Sequence, residues 1–248
     1  MFRRSTCTAN PLAGRAGFRP NPIMRVLLFA FLVLSACGRP LTPNEIAFAD
    51  TLFADQVDPA RVRFVRGHLA ESYTFRYQAR PRVTCMERIY PPPTDPVITT
   101  SPGAISLFNK VFYRKDMNLD DYAHASGGKG NLYALMLFAH EMTHVWQWQN
   151  RRKTGYHPLK AAQEHRPGHD PYLFALGTQP ALLSYPYEQQ AAIVEEYVCC
   201  RALAPKAART QRLHDMLSRD IPVARLSQIV GNHAFVPWKG ADLNGICD

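Results

Sequence analysis

A chain of 248 residues, 46% hydrophobic and 20% charged, is long enough to bury one sizeable core and too apolar to be disordered. Its formal net charge of +9 raises the question of nucleic-acid or membrane phosphates, but five arginines (Arg3, Arg4, Arg15, Arg19, Arg25) precede Cys37 and no acid does. From Cys37 onward 24 basic groups face 20 acidic ones, too small an excess for a nucleic-acid footprint, so no nucleic acid is expected as a partner.

Residues 24–38 read MRVLLFAFLVLSACG: a positive start, an apolar run over 26–34, then small residues before a cysteine. The run is too short to span a bilayer, which needs about 20 residues, and it matches the apolar region of a secretory signal. LSAC resembles the lipobox of bacterial lipoproteins, whose cysteine becomes the acylated first residue of the mature chain. Residues 1–36 are therefore read as a signal segment, with 24–36 the lipoprotein signal peptide and 1–23 either an unusually long positive leader to it or a start called too early. The mature chain, 37–248, is read as a single domain tethered to a membrane through Cys37. It would face the periplasm of a bacterial envelope, on the outer rather than the inner membrane because Gly38 follows the cysteine. Of the other cysteines, Cys199 and Cys200 are adjacent and unsuited to bond each other; either can pair with Cys85 or Cys247. There is no C-x-x-C, which disfavours a cysteine-based zinc site.

The mature chain opens with a helix signal. Thr42 is an N-cap, Pro43 takes the first helical position, Glu45 follows three residues after the cap, and Ile46, Ala49, Leu52 and Phe53 recur at helical spacing. ARVRFVRGHL alternates as a half-buried strand does. YPPPTDP, residues 90–96, is a stiff polyproline connector, and GAISLFNKVFYR reads as one or two short strands. HASGGKGN is a flexible loop leading into the best-signalled helix, which Asn131 can cap and which carries an apolar stripe of Leu132, Leu135, Met136, Ala139, Met142 and Trp146. Arg151, Arg152 and Lys153 suit its C-terminal dipole, and Gly155 ends it. Residues 156–187 have no period and are long for a structureless connection, so they are expected to shape a cleft. A second helix starts near Tyr187 and runs through EQQAAIVEEYVCCRAL; a third is ARTQRLHDMLSRD.

Inside the best-signalled helix, residues 140–144 read HEMTH. His140 and His144, four apart, project from one helical face a turn apart, and two imidazoles so placed can reach one ion. Glu141 is too displaced to share that ion but is placed to touch water beside it. The motif lies in an apolar run, so its polar groups are buried and need partners. A catalytic zinc site takes a third protein ligand and leaves a position open. At 100° per residue, Glu188 and Glu195 share a face of the second helix with Ala192 and Cys199, while Glu196 lies some 80° off. Glu188 and Glu195 are therefore the candidates, one to ligate and one to support a ligand histidine.

HEMTHVWQ resembles the HELTHVVQQ signature of a bacterial metallopeptidase-like domain linked to contractile injection systems, one of the small gluzincins. LTPNEIAFA, HEMTHVWQWQ and YEQQAAIVEEYVCCRAL resemble, more closely, bacterial vgr-related proteins over residues 41–205. The resemblance implies an α+β, zincin-like (minigluzincin) domain, mostly helical, with a small edge-strand sheet. It implies Zn2+ held by His140, His144 and Glu188, the last through a glutamate-x-x-alanine phrase whose following aspartate is Ala192 here. Glu195, one turn on, is read as taking that supporting role.

The function so read is hydrolysis of peptide bonds in a protein or peptide substrate, with Glu141 as general base and the strand near Ile105 holding extended substrate by backbone pairing. The oxyanion donor is left open among His157, His165, His169, Tyr185, Tyr187 and His233. The alternative is a catalytically silent zinc-binding module of an envelope or secretion assembly. A zinc amidase acting on cell-wall peptides uses similar chemistry but rarely this helix motif.

Overall fold

The structure, a computed structural model, describes residues 38–248 other than 69, 71, 167 and 224–233. The signal segment, the acylation site Cys37 and His233 lie outside the described residues. The fold is mixed α+β, with seven α-helices and three small sheets among the described residues. None of those helices is long and apolar enough to cross a membrane.

Helix α1, Pro43–Phe53, begins with a full capping box: Thr42 accepts from the Glu45 amide and Glu45 accepts from the Thr42 amide. The fully buried Glu45 carboxylate also takes both ends of the Arg39 guanidinium at 2.7 Å and the Tyr122 amide at 3.0 Å, so no lone pair is stranded. Phe48, rather than Ile46, turns inward: Ile46 is 40% exposed, while Phe48 packs on Phe138 at 5.6 Å.

Strand β1, Arg63–Arg66, pairs in parallel with β5, Lys110–Tyr113, and β5 pairs antiparallel with β4, Ala104–Leu107, giving the order β1-β5-β4. The two residues Phe108 and Asn109 turn β4 into β5, with Phe108 at φ 60°. A two-residue turn makes Leu107 and Lys110 a hydrogen-bonded pair, and the alternation of an antiparallel ladder then leaves Ala104 and Ser106 with N–H and C=O facing outward. The Arg114 amide, donating to Gly103 at 2.9 Å, keeps that phase. The edge of β4 that flanks the HEMTH helix is thus an open template.

Between β1 and β4 the chain makes an excursion absent from the sequence reading: β2, Phe75–Gln78, pairs antiparallel with β3, Val97–Thr100, and helix α2, Cys85–Ile89, sits between them with its own capping box from Thr84 and Glu87. Tyr90 leaves α2 with φ −77° and ψ 151°, polyproline values that lead into the prolines. HASGGKGN is not a flexible loop. Gly127 (φ 58°) and Gly128 (φ 79°) supply a left-handed turn between β6, Ala125–Ser126, and β7, Lys129–Asn131, and β7 pairs with β8, Ala234–Phe235.

Helix α3, Leu132–Gln149, starts where the Asn131 side chain accepts from the Tyr133 and Ala134 amides. It ends at Asn150, and the three basic residues fall on a separate short helix, α4, Arg151–Thr154, which Gly155 closes at φ 68°. After α5, Pro158–Ala162, and an irregular stretch, α6, Tyr187–Leu203, lies along α3, where small Ala191 and Ala192 allow close approach. Helix α7, Ala208–Leu217, covers the far side of α6.

The adjacent cysteines bond in different directions: Cys85–Cys199 ties α2 to α6, and Cys200–Cys247 ties α6 to the C-terminal segment. Replacing Cys200 and Cys247 together by serine is expected to lower the unfolding free energy by about 4 kcal/mol, the chain-entropy value for their separation of 47. Urea unfolding under oxidising conditions measures it; a loss below about 1 kcal/mol would show that the unfolded chain is not held by this link.

Candidate metal centre

Helix α3 buries both its apolar stripe and the HEMTH side chains: His140, Glu141 and His144 are 7%, 4% and 5% exposed. Buried imidazoles and carboxylates need partners, and α6 brings them. His144 Nε2 lies 3.2 Å and His140 Nε2 3.5 Å from the same oxygen, Glu188 Oε2. The opposite ring nitrogens are held from behind: His140 Nδ1 donates to Glu195 Oε2 at 3.1 Å, and His144 Nδ1 to Gln147 Oε1 at 2.9 Å. Gln147 cannot turn the other way, because its amide nitrogen donates to Tyr187 O and Gln190 Oε1. Both Nδ1 atoms therefore carry the proton, and both Nε2 atoms face the space at Glu188.

These donors suit a metal ion. One nitrogen from each histidine and one Glu188 oxygen lie within 4.8 Å of one another. Ligand bonds of 2.0–2.1 Å in a tetrahedron put neighbouring donors about 3.3–3.4 Å apart, close to the 3.2 and 3.5 Å here. The electrostatics agree. Burial works against charge on both imidazoles, yet Glu188 and Glu195 raise His140 well above its usual range, and Glu188 raises His144. Burial likewise opposes the Glu188 carboxylate, but His144, His140 and His165 hold it well below the ordinary carboxylate value. The space between them favours positive charge, and a divalent cation supplies it without crowding two imidazolium ions together.

Glu141 points beside this cluster. Its Oε2 accepts the Ser106 hydroxyl at 2.7 Å, which ties the side chain to strand β4. The structure thus brings His140, His144, Glu188, Glu195 and Glu141 to one place. Glu196 goes elsewhere, to the Cys85 amide at 2.7 Å and Arg209 at 2.6 Å.

Of the proposed oxyanion donors, His165 alone among those described touches the cluster, with Nε2 3.1 Å from Glu188 Oε1. His157 caps α5, Tyr185 braces the 175–179 turn, and Tyr187 donates to Gly155 O; His169 is exposed. Two aromatic neighbours were not anticipated: Tyr156 stacks on His144 at 5.9 Å, and Tyr172 tilts over His140 at 5.6 Å. Both sit in the aperiodic 156–187 segment. Gln147 and Ser106 were missed as well. Gln147 had a signal, standing three residues after His144 on the same helix; Ser106 had none.

Cys85, Cys200 and Cys247 also cluster closely enough for a metal, but their sulfurs are joined in disulfides.

Burial pushes the Glu196 carboxyl up to about 7 despite the adjacent Arg209. A folded-state value above the unfolded 4.5 means that the native protein holds more protons between about pH 4.5 and 7, so this group's contribution to stability falls as pH rises through that window. Wild type minus Glu196→Gln, measured by urea unfolding at pH 5 and pH 7.5, is expected to change by about 2 kcal/mol in that direction. An unchanged difference would mean that Arg209 keeps the carboxylate charged.

No family model matches the chain, and no curated protein matches it. Among solved structures it is similar to the effector domain of Pseudomonas aeruginosa VgrG2b, at 22% identity and a TM-score of 0.47, over 79% of this chain and 94% of that one.

Proposed function

We propose that the protein is a zinc-dependent peptidase of the small gluzincin kind on a zincin-like fold, with His140, His144 and Glu188 as ligands and Glu141 as general base. The observation that carries this reading is the convergence of two imidazole Nε2 atoms on one Glu188 oxygen while Glu195 and Gln147 hold both Nδ1 protons. Bound zinc supplies Lewis-acid polarisation and a nucleophile at neutral pH. With Oε2 of Glu141 held by Ser106, its Oε1 takes the proton of the attacking water and returns it to the leaving nitrogen. The outward N–H and C=O groups of Ala104 and Ser106 pair with an extended substrate, which fixes the scissile carbonyl beside Glu141.

The signal-like N-terminus and the two disulfides support placement in the bacterial envelope, as a lipoprotein anchored through Cys37 and facing the periplasm. The alternative is a catalytically silent zinc-binding module on the same three ligands; His165, beside the second Glu188 oxygen, stands outside the group of donors that can share one ion.

Metal content and casein cleavage by the purified full-length chain test the two readings. About one zinc per chain is expected, with cleavage lost to a chelator and regained on adding zinc. Tightly held zinc without cleavage would establish the structural module, and a chain without metal would remove both.

A further inference from the structure

A cleft of about 480 Å³ runs from Glu141 and His140 between the edge strand β4 and the β2–α2–β3 excursion. We propose that this cleft takes an extended polypeptide with large apolar side chains two residues apart, and that the excursion sets this preference. The inference rests on the peptidase reading for the reaction, though not for the binding.

The walls carry the argument. Phe75, Tyr77 and Ile98 from the hairpin face Tyr133 and Leu137 from α3 across the cleft. Tyr73, Phe75 and Tyr77 occupy alternate positions, and their rings stack in sequence at 6.3 and 6.0 Å. An extended chain repeats its side chains on one face at about 6.6–6.8 Å, so a strand lying along this ladder meets one ring per inward side chain. The backbone side is provided by Ala104, which lines the cleft and has outward polar groups.

Apart from Glu141, the charges in the cleft are already engaged. Arg80 is held by Asp170 and Glu87, Arg82 donates to Tyr90 O and Arg88 O, and Glu195 is taken by His140. A charged side chain entering the cleft would lose water and meet groups that are already paired, whereas an apolar one loses nothing. This disfavours carboxylate-rich cell-wall peptides. The wall is also fixed in advance: Cys85 bonds Cys199, and its amide donates to Glu196, both on α6.

The test uses the full-length zinc-loaded chain and fluorogenic decapeptides that differ only at two positions two residues apart, filled with Phe, Ala or Asp. The Phe peptide is expected to exceed the Ala peptide in kcat/KM by about 10- to 100-fold, with Asp lower still. The double variant Phe75→Ala/Tyr77→Ala is expected to shrink that ratio to below about 3-fold. Binding of the same peptides to Glu141→Gln is read by fluorescence anisotropy. A Phe preference in binding with no cleavage by wild type would uphold the cleft and overturn the peptidase reading. Cleavage with no Phe preference, or a preference untouched by the double variant, would overturn the cleft and leave the peptidase.

Discussion

Glu141→Gln is expected to retain zinc at wild-type occupancy while peptide hydrolysis falls by about 10²–10⁴-fold. The substitution is nearly isosteric, and the amide oxygen can still accept the Ser106 hydroxyl that holds the side chain now. Glu141 is not among the three donors, so the His140–His144–Glu188 cluster loses none. What disappears is the ability to take up a proton and release it to a leaving nitrogen. Metal analysis alongside kcat separates this from a folding defect. Equal cleavage by the variant at equal zinc would assign the base to another group, and His165 would be the first to examine. The effect should lie in kcat rather than KM, because the substrate contacts argued above involve β4 and the hairpin.

Glu188→Ala is expected to weaken zinc binding by about 10³-fold or more, and Glu195→Gln by only about 10–100-fold. The first figure follows from sharing the roughly 10–16 kcal/mol of a zinc site among its ligands; the second is the usual cost of losing a carboxylate behind a ligand histidine. The geometry separates the roles: Glu188 faces both Nε2 atoms, whereas Glu195 touches only the far side of His140, at Nδ1. Competition with a chromophoric chelator measures both. A Glu188→Ala protein that holds zinc while Glu195→Gln loses it would exchange the two assignments. Glu188→Ala is also expected to lower the thermal midpoint even without metal, since it leaves His140, His144 and His165 without their shared acceptor.

The helices that build this centre were legible because their signals are local. Thr42 with Glu45, and Asn131 before Leu132, are caps whose partners lie within three residues, and they formed as read. The face of α6 followed from helical rotation alone, which brought Glu188 and Glu195 towards α3 and turned Glu196 to Arg209. The excursion was not legible. Strands of four half-buried residues alternate too weakly to stand out, and α2 is only five residues long. Gly127–Gly128 was read for its flexibility, although the same freedom supplies a tight turn once flanking residues can pair. Disulfide partners could not be chosen, because Cys199 and Cys200 differ by one position and only the direction of each side chain on the finished helix decides. Ser106 is the plainest case: nothing near it in sequence tells a serine that its acceptor lies 35 residues away.

Neighbouring residues on a helix point about 100° apart, so the two disulfides grip α6 from different sides. A rod clamped that way can neither roll nor slide. Inserting one residue between Glu195 and Cys199 would twist both carboxylates, Glu188 and Glu195, by 100° relative to the clamps and shift them about 1.5 Å along the axis, and no side-chain adjustment could restore both ends. Length along this stretch is therefore as strict a requirement as residue identity, and a chain altered there has to choose between its crosslinks and its cation.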